Sequence, residues 1–186
     1  MSTNQQSIKN YSGIFGNQVV LKNRKGKSVM TLPHVKPKVP PTEKQVAVRE
    51  RLKLAAVYAH NAMKDPALSA MYAAKSGSKG FAPYRLAVFD YLRPPYIHQV
   101  DASGYHGNTG EKITVTAGDD FQLSSVTVKI SHPDGSLIEE GACVLNMPAS
   151  NYEYTATVQV AALTGVVILA RAIDTPGNLT ELSVTL

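Results

Sequence analysis

The chain has 186 residues, of which 44% are hydrophobic and 18% are charged, and its formal net charge is +5. This composition is typical of a folded globular protein and argues against wholesale disorder. A single cysteine, Cys143, allows no internal disulfide and no cysteine-based zinc site. The start, MSTNQQSIKNYSG, lacks the apolar segment of a signal peptide, and no apolar run is long enough to cross a bilayer. We therefore expect a soluble cytoplasmic protein without membrane contact.

The charge is distributed unevenly along the chain. Residues 1–100 hold sixteen Lys and Arg and four Asp and Glu, a net charge of +12. Residues 101–186 hold three Lys and Arg and ten Asp and Glu, a net charge of −7. This asymmetry indicates two modules, of which the basic one meets something acidic. We predict a basic N-terminal region over residues 1–95 and a second domain over residues 96–186.

The N-terminal region begins with patterns typical of strands and turns. The segments Gln18–Lys22 and Lys27–Thr31 predict a hairpin that turns through Asn23–Gly26. The following LPHVKPKVPP contains four prolines in ten residues, so it is expected to run extended, as an arm rich in Lys and Pro.

Two or three helices are predicted after this arm. The first begins behind Thr42, a good N-cap, and one apolar face is expected to hold Val48, Leu52, Ala55, Ala59 and Ala62. The second has Asp65 as its cap and Pro66 at its first position, with Gly77 as its end, and APYRLAVFDYLRPP predicts a third.

The C-terminal domain reads as strands. YEYTATVQV, ITVTA and SVTVKIS alternate apolar and polar residues, which indicates a sheet with one buried face. HPDGS and TPGN supply the turns between strands. About seven strands in roughly ninety residues is the spacing expected of a β-sandwich.

Two stretches of this domain resemble bacterial immunoglobulin-like domains. VVILARAIDTPGNLTELSVTL is similar to their final strands, and ITVTAGDDFQLSSVTVKI to their opening strands with an acidic turn between them. The resemblance covers about residues 96–186 and implies a binding or spacing module. The fold expected for the whole chain is therefore α+β, with a small basic hairpin-plus-helices region followed by an all-β immunoglobulin-like sandwich.

The N-terminal region has a resemblance of its own. Its Gly-rich start, basic hairpin, Lys/Pro run and PTEKQVAVRERLKLAAVYA are similar to a group of small bacterial proteins without an established activity. This resemblance implies that the two halves belong together, and it assigns no function.

A basic strip is the main candidate for binding a partner. Residues 22–45 carry seven Lys and Arg against one acid and contain no aromatic residue. The strip could bind an acidic protein surface or particle subunit, bind DNA or RNA through phosphate contacts, or be solvated surface. The candidate partner-binding residues are Lys22, Arg24, Lys25, Lys27, Lys36, Lys38, Lys44 and Arg51.

No pattern of an enzyme or a cofactor site is found. A nucleophile motif and a phosphate loop are absent, so a non-enzymatic protein without a cofactor is expected. Asp119, Asp120 and Asp174 are weak calcium candidates, because loops at one end of a sandwich can gather oxygen ligands. Capping of turns by these side chains explains the same residues.

These observations favour a structural or accessory protein of a larger assembly. Immunoglobulin-like sandwiches decorate phage and phage-tail-like particles, whose parts are made in the cytoplasm. The leading hypothesis is a component or cargo of a phage or contractile-injection-type particle, anchored through the basic region. The alternative is a nucleic-acid-associated protein that binds DNA or RNA through its basic half.

Overall fold

The computed structural model describes residues 12–16, 18–24, 26–35, 39–147 and 149–186. These residues contain three helices and eleven strands in three antiparallel sheets, which confirms the α+β class. In chain order the elements are β1 (Gly13–Phe15), β2 (Val19–Arg24), β3 (Lys27–Thr31), α1 (Glu43–Lys64), α2 (Pro66–Lys79), α3 (Pro83–Leu92), β4 (Tyr96–Asp101), β5 (Lys112–Gly118), β6 (Leu123–Ser131), β7 (Leu137–Ala142), β8 (Val144–Asn146), β9 (Asn151–Thr155), β10 (Val167–Asp174) and β11 (Leu179–Thr185).

Contacts within the chain divide it into two compact units, residues 1–43 and residues 44–186. The first unit holds β1, β2 and β3, which we call the small sheet. The second unit holds the three helices and two four-stranded sheets, which we call the helical segment and the two-sheet segment. The change from helix to strand falls between Leu92 and Tyr96, and the contacts group the helices with the strands that follow.

The small sheet has the order β1-β2-β3. Arg24 lies opposite Lys27 across β2 and β3, and Ile14 of β1 lies opposite Val20. Gly26, in the turn between β2 and β3, has φ of 75°, a left-handed conformation that glycine adopts without strain. None of the described residues between 12 and 43 is buried, so the small sheet has no core of its own.

Local signals explain where the second helix begins and ends. The Asp65 carboxylate accepts hydrogen bonds from the backbone N–H groups of Ala67 and Leu68 at 2.8 and 3.1 Å, which confirms it as the cap. The helix continues through the predicted stop at Gly77 and ends at Gly80, whose φ of 66° is left-handed. Gly77 costs helix stability but does not break the hydrogen-bond pattern, whereas a left-handed residue does.

The three helices share a small apolar cluster with one residue of the two-sheet segment. Its buried members are Ala59, Ala62, Tyr72, Leu86, Ala87 and Phe121. Phe121, from the loop between β5 and β6, stacks on Tyr72 with ring centres 4.4 Å apart. Val48 and Leu52 were predicted on the buried face of α1, but they are 67% and 50% exposed. The first three turns of α1 therefore have the apolar period of a packed helix without a described surface that covers them.

The two four-stranded sheets have the orders β4-β5-β9-β8 and β11-β10-β6-β7. Inward-facing residues of both sheets form one core, in which alternate residues of β5, β6 and β10 are buried. In the second sheet Val126, Val128 and Ile130 of β6 pair with Ala172, Ala170 and Ile168 of β10, and all six are buried.

Strand β9 is shorter than the alternating apolar and polar pattern of its sequence predicts. β9 ends at Thr155, although the alternation continues to Val160. Beyond it the backbone bonds to the loop before β5: Ala156 N donates to Glu111 O at 2.9 Å, and Val160 N donates to Gly107 O at 2.8 Å. The buried Ala156 and Val160 thus close one end of the core without a strand ladder.

Across the described part of the chain, the helices lack the length and hydropathy needed to cross a membrane.

We expect residues 96–186 alone to fold as a β-rich unit, because the large core is built entirely from residues of this range. The fragment should be less stable than residues 44–186 by roughly 2–3 kcal/mol, since Phe121 loses its cover. Far-UV circular dichroism and urea denaturation of both fragments measure this difference. A random-coil spectrum for the shorter fragment would show that the sheets need the helices to form.

Candidate functional site

Five of the eight basic candidates lie in the described residues. Lys22 and Arg24 are on β2, Lys27 is on β3, and Lys44 and Arg51 are on α1; all five are exposed. The other three lie outside the described residues: Lys25, Lys36 and Lys38.

The register of the small sheet places its three described cations on one face. Residues paired across antiparallel strands point to the same side, and neighbours along a strand point to opposite sides. Lys22, Arg24 and Lys27 therefore share one side, which we call the basic face. Aliphatic and polar residues complete this face: Ile14, Val20, Val29 and Thr31.

The opposite side, the apolar face, carries no charged side chain among the described residues. It presents Phe15 and Met30, which are 55% and 69% exposed, beside the half-buried Val19 and Leu21. The small sheet thus has one cationic face and one apolar face, and none of its described residues is fully buried.

Electrostatics on the basic face favours an anionic partner. Arg24 and Lys27 lie directly opposite each other, and like charges in that position destabilise a strand pair. A carboxylate or phosphate placed between them removes this repulsion. Arg51 differs from this group, because its guanidinium Nη2 already donates to the backbone oxygen of Leu92 at 2.8 Å.

A second candidate site is a cluster of three carboxylates, which we call the acidic cluster. It consists of Asp90, Asp119 and Asp174, and one oxygen of each lies within 4.8 Å of one oxygen of the others. Two of these residues are among the calcium candidates found in the sequence. The third candidate, Asp120, instead forms an ion pair with Arg93 at 2.5 Å.

Three elements bring the acidic cluster together. Asp90 lies on the buried face of α3, one turn after Leu86, and is 2% exposed. Asp119 follows the end of β5, and Asp174 ends β10 with 1% exposure. The cluster therefore forms only where the helical segment packs on one end of the two-sheet segment.

Two members of the cluster, Asp119 and Asp174, accept hydrogen bonds that cap turns. This confirms the capping interpretation for these two residues. Asp119 Oδ2 accepts from the N–H groups of Phe121 and Gln122 at 2.7 and 2.9 Å. Asp174 Oδ1 accepts from Asn178 N at 2.6 Å, and Oδ2 from Asn178 Nδ2 at 2.8 Å. These bonds hold both loops in a fixed shape.

The turn after β10 also ties the helix to the sheets. Asn178 Nδ2 donates to the backbone oxygens of Tyr91 at 3.2 Å and Asp90 at 3.5 Å. Thr180 Oγ1 donates to the backbone oxygen of Pro95 at 2.6 Å. These bonds join the end of α3 and the segment that follows it to the turn after β10 and to β11.

The hydroxyl groups of Tyr58 and Tyr72 form a hydrogen-bonded chain that ends at Asp90. The Tyr72 hydroxyl donates to Asp90 Oδ2 at 2.5 Å, and the Tyr58 hydroxyl lies 2.8 Å from the Tyr72 hydroxyl. Burial is the main cause that raises the pKa of Asp90 to about 7; the Tyr72 hydrogen bond opposes the shift, and the neighbouring carboxylates Asp119 and Asp174 add to it. Burial likewise raises the pKa values of Asp174 and Tyr72.

Two oxygens of the acidic cluster are buried without a hydrogen-bond partner in the described structure: Asp90 Oδ1 and Asp119 Oδ1. Buried carboxylate oxygens normally have partners, so each such atom is a place where a proton or a cation is held. Lys75 is the nearby cation; its ammonium donates to the backbone oxygen of Phe121 and lies 4.3 Å from the centre of that ring.

Sequence reasoning missed Asp90. Its signal is visible in LAVFDYL, where Asp90 follows Leu86 and Ala87 by four and three residues and so lies on the apolar face of the predicted helix. An acid at such a position is rarely buried without a specific reason.

No protein-family model matches this sequence, and no curated protein matches it.

The raised pKa of Asp90 predicts a dependence of stability on pH. The folded state holds the proton up to about pH 7, whereas the unfolded carboxyl loses it near 3.8. Stability contributed by this group is therefore present at about pH 4 and is lost as the pH rises through 7. We expect wild-type stability to fall relative to Asp90→Asn over this range, measured by urea denaturation with EDTA present.

Asp134→Asn is the matched control for this experiment. Hydrogen bonds from Ser136 lower the pKa of Asp134, so its contribution is lost on acidification instead. The difference between wild type and Asp134→Asn should change only at acidic pH. A wild-type to Asp90→Asn difference that stays constant from about pH 4 to pH 8 would contradict the buried, protonated state of Asp90.

Proposed function

We propose that the protein is a non-enzymatic structural or accessory subunit of a larger assembly, a component or cargo of a phage or contractile-injection-type particle. The small sheet anchors the chain by placing its basic face on an acidic protein surface. The two-sheet segment is an immunoglobulin-like sandwich that binds or spaces the neighbouring parts. The observation that carries this proposal is the division of the small sheet into a basic face and an uncovered apolar face.

The energetics of the small sheet support an anchoring role. A sheet of three short strands gains independent stability only by packing its apolar side against something. Ile14, Phe15 and Met30 are all more than half exposed, and the described part of the unit buries no residue. Ordering each backbone residue costs about 1–2 kcal/mol. Docking on another subunit supplies the missing burial.

Charge complementarity and side-chain placement favour an acidic protein over nucleic acid. Single-stranded nucleic acid is bound where cations for phosphates and aromatic rings for bases share a groove. On the small sheet Phe15 lies on the apolar face, away from Lys22, Arg24 and Lys27. A cleft in a partner protein, with carboxylates on one wall and apolar side chains on the other, can contact both faces of the small sheet.

The order of the strands supports the second half of the proposal. The sheet orders β4-β5-β9-β8 and β11-β10-β6-β7 are compatible with an immunoglobulin-type sandwich that has one additional strand beside its third, which supports this part of the proposal. Such a fold alone assigns no activity. With the anchor at the N-terminal side, it is suited to a displayed or spacing role.

We expect a protease to cut the small sheet before it cuts the two-sheet segment. Because the small sheet buries no described residue, it opens at little cost in free energy. In the purified free chain, trypsin should cut after Lys22, Arg24 or Lys27 before it cuts at Lys129 or Arg171, which lie on the central strands β6 and β10. Mass spectrometry of a time course gives the order. Simultaneous cutting of both groups would show a small sheet already covered by its own chain.

Sedimentation tests the assembly directly. In a lysate of the cells that make the protein, we expect the chain in a fast-sedimenting particle fraction that survives nuclease treatment. Replacing Lys22, Arg24 and Lys27 with Glu should reduce that fraction about tenfold or more, because the basic face then repels an acidic partner.

The matched control carries the same change in charge elsewhere, with Arg49, Lys64 and Lys129 replaced by Glu. It should sediment like wild type, because these residues lie outside the small sheet. Release of the wild-type chain by nuclease would favour the DNA or RNA alternative. Equal loss in the control would show that total charge, rather than the basic face, determines the association.

A further inference from the structure

The acidic cluster holds more negative charge than its surroundings compensate. Three carboxylates converge there, two of them almost completely buried, and Lys75 is the cation beside Phe121. Transfer of ionised carboxylates out of water is costly unless an opposite charge or a proton accompanies them. The cluster therefore needs at least one further positive charge.

Two of its oxygens are not used by hydrogen bonds within the described residues. Tyr72 uses only Oδ2 of Asp90, and the loop amides use only Oδ2 of Asp119. The remaining Oδ1 atoms of Asp90 and Asp119 are buried and have no hydrogen-bond partner within the described residues. Asp90 itself is 2% exposed, so water does not solvate this carboxylate as it would at the surface.

The spacing fits an oxygen-coordinated ion. Three oxygens within 4.8 Å of one another surround a common point at close to the calcium–oxygen distance of about 2.3–2.6 Å. Hydrogen bonds from the loop amides and Asn178 fix the orientation of Asp119 and Asp174, as partners of metal ligands do. A partly open cavity of about 180 Å³ is lined in part by Asp90, Arg93 and Phe121.

We propose that the acidic cluster is a binding site for a divalent cation of the calcium type, held by Asp90, Asp119 and Asp174. Water or backbone oxygens complete the coordination, since Ca²⁺ takes six to eight oxygen ligands. The ion joins α3 to the loops after β5 and β10 and so fastens the helical segment to the two-sheet segment. This site is independent of the anchoring function proposed above.

Binding is tested with the full chain and Ca²⁺ itself. After EDTA treatment and its removal, calorimetric titration should show one Ca²⁺ per chain, and millimolar Ca²⁺ should raise the melting temperature. Tb³⁺, a common substitute for Ca²⁺, should show luminescence sensitised by Tyr58 and Tyr72, whose hydroxyl chain ends at Asp90. Ca²⁺ should displace that signal. Identical melting in EDTA and Ca²⁺, with no heat of binding, would overturn the proposal and leave a shared proton as the compensating charge.

Variants locate the ion. Asp90→Asn and Asp119→Asn should each weaken Ca²⁺ binding by about tenfold or more, since each removes one charged ligand. Asp120→Asn is the matched control from the same loop and should retain binding, because its carboxylate pairs with Arg93. Full binding by Asp90→Asn, or equal loss in Asp120→Asn, would place the ion elsewhere and overturn the assignment. Since the Tb³⁺ measurement uses wild-type protein, a variant that fails to fold does not remove the test.

Discussion

The packing of α3 against the two sheets depends on keeping one carboxyl group, Asp90, out of water. It receives the Tyr72 hydroxyl from α2 and faces Asp119 and Asp174 from two loops of the sheets. Asn178 binds the carbonyl groups behind it. Residues from α2, the loop after β5 and the end of β10 therefore gather around Asp90, and a change in its charge affects helices and loops together.

The small sheet and the two-sheet segment differ in how far their faces are covered. The two large sheets cover each other's inner faces and share one core. The small sheet has strands of three to six residues and leaves both of its faces open. Its stability must come from outside its own strands, which is why its sequence can place cations on one face and large apolar groups on the other.

Periodic features of the fold could be predicted from the sequence, because they depend on near neighbours. The buried Val126, Val128 and Ile130 follow from alternation, and the helix start at Asp65 follows from its capping side chain. The end of β9 could not be predicted, since Ala156 bonds to Glu111, a partner distant in sequence. β1 was missed because its three residues, Gly13–Phe15, are too few to show a period.

The candidate sites, too, could be predicted from the sequence only in part. Composition alone singled out the basic residues, but only the register shows that Lys22, Arg24 and Lys27 share one face. Asp119, Asp120 and Asp174 were named as weak calcium candidates only on the condition that their loops meet. The third member of the acidic cluster, Asp90, comes from a helix that sequence reasoning assigned to the other domain, so no local pattern connects it to them.

The unlike faces of the small sheet also limit how copies of the protein can stack on each other. Apolar faces of two copies can meet, but the outer sides of such a pair are then both cationic and repel a third copy. Face-to-face stacking through this element therefore stops at two sheets, because the cationic outer faces repel further copies. The cations of the basic face thus limit how many copies of the small sheet can stack face to face.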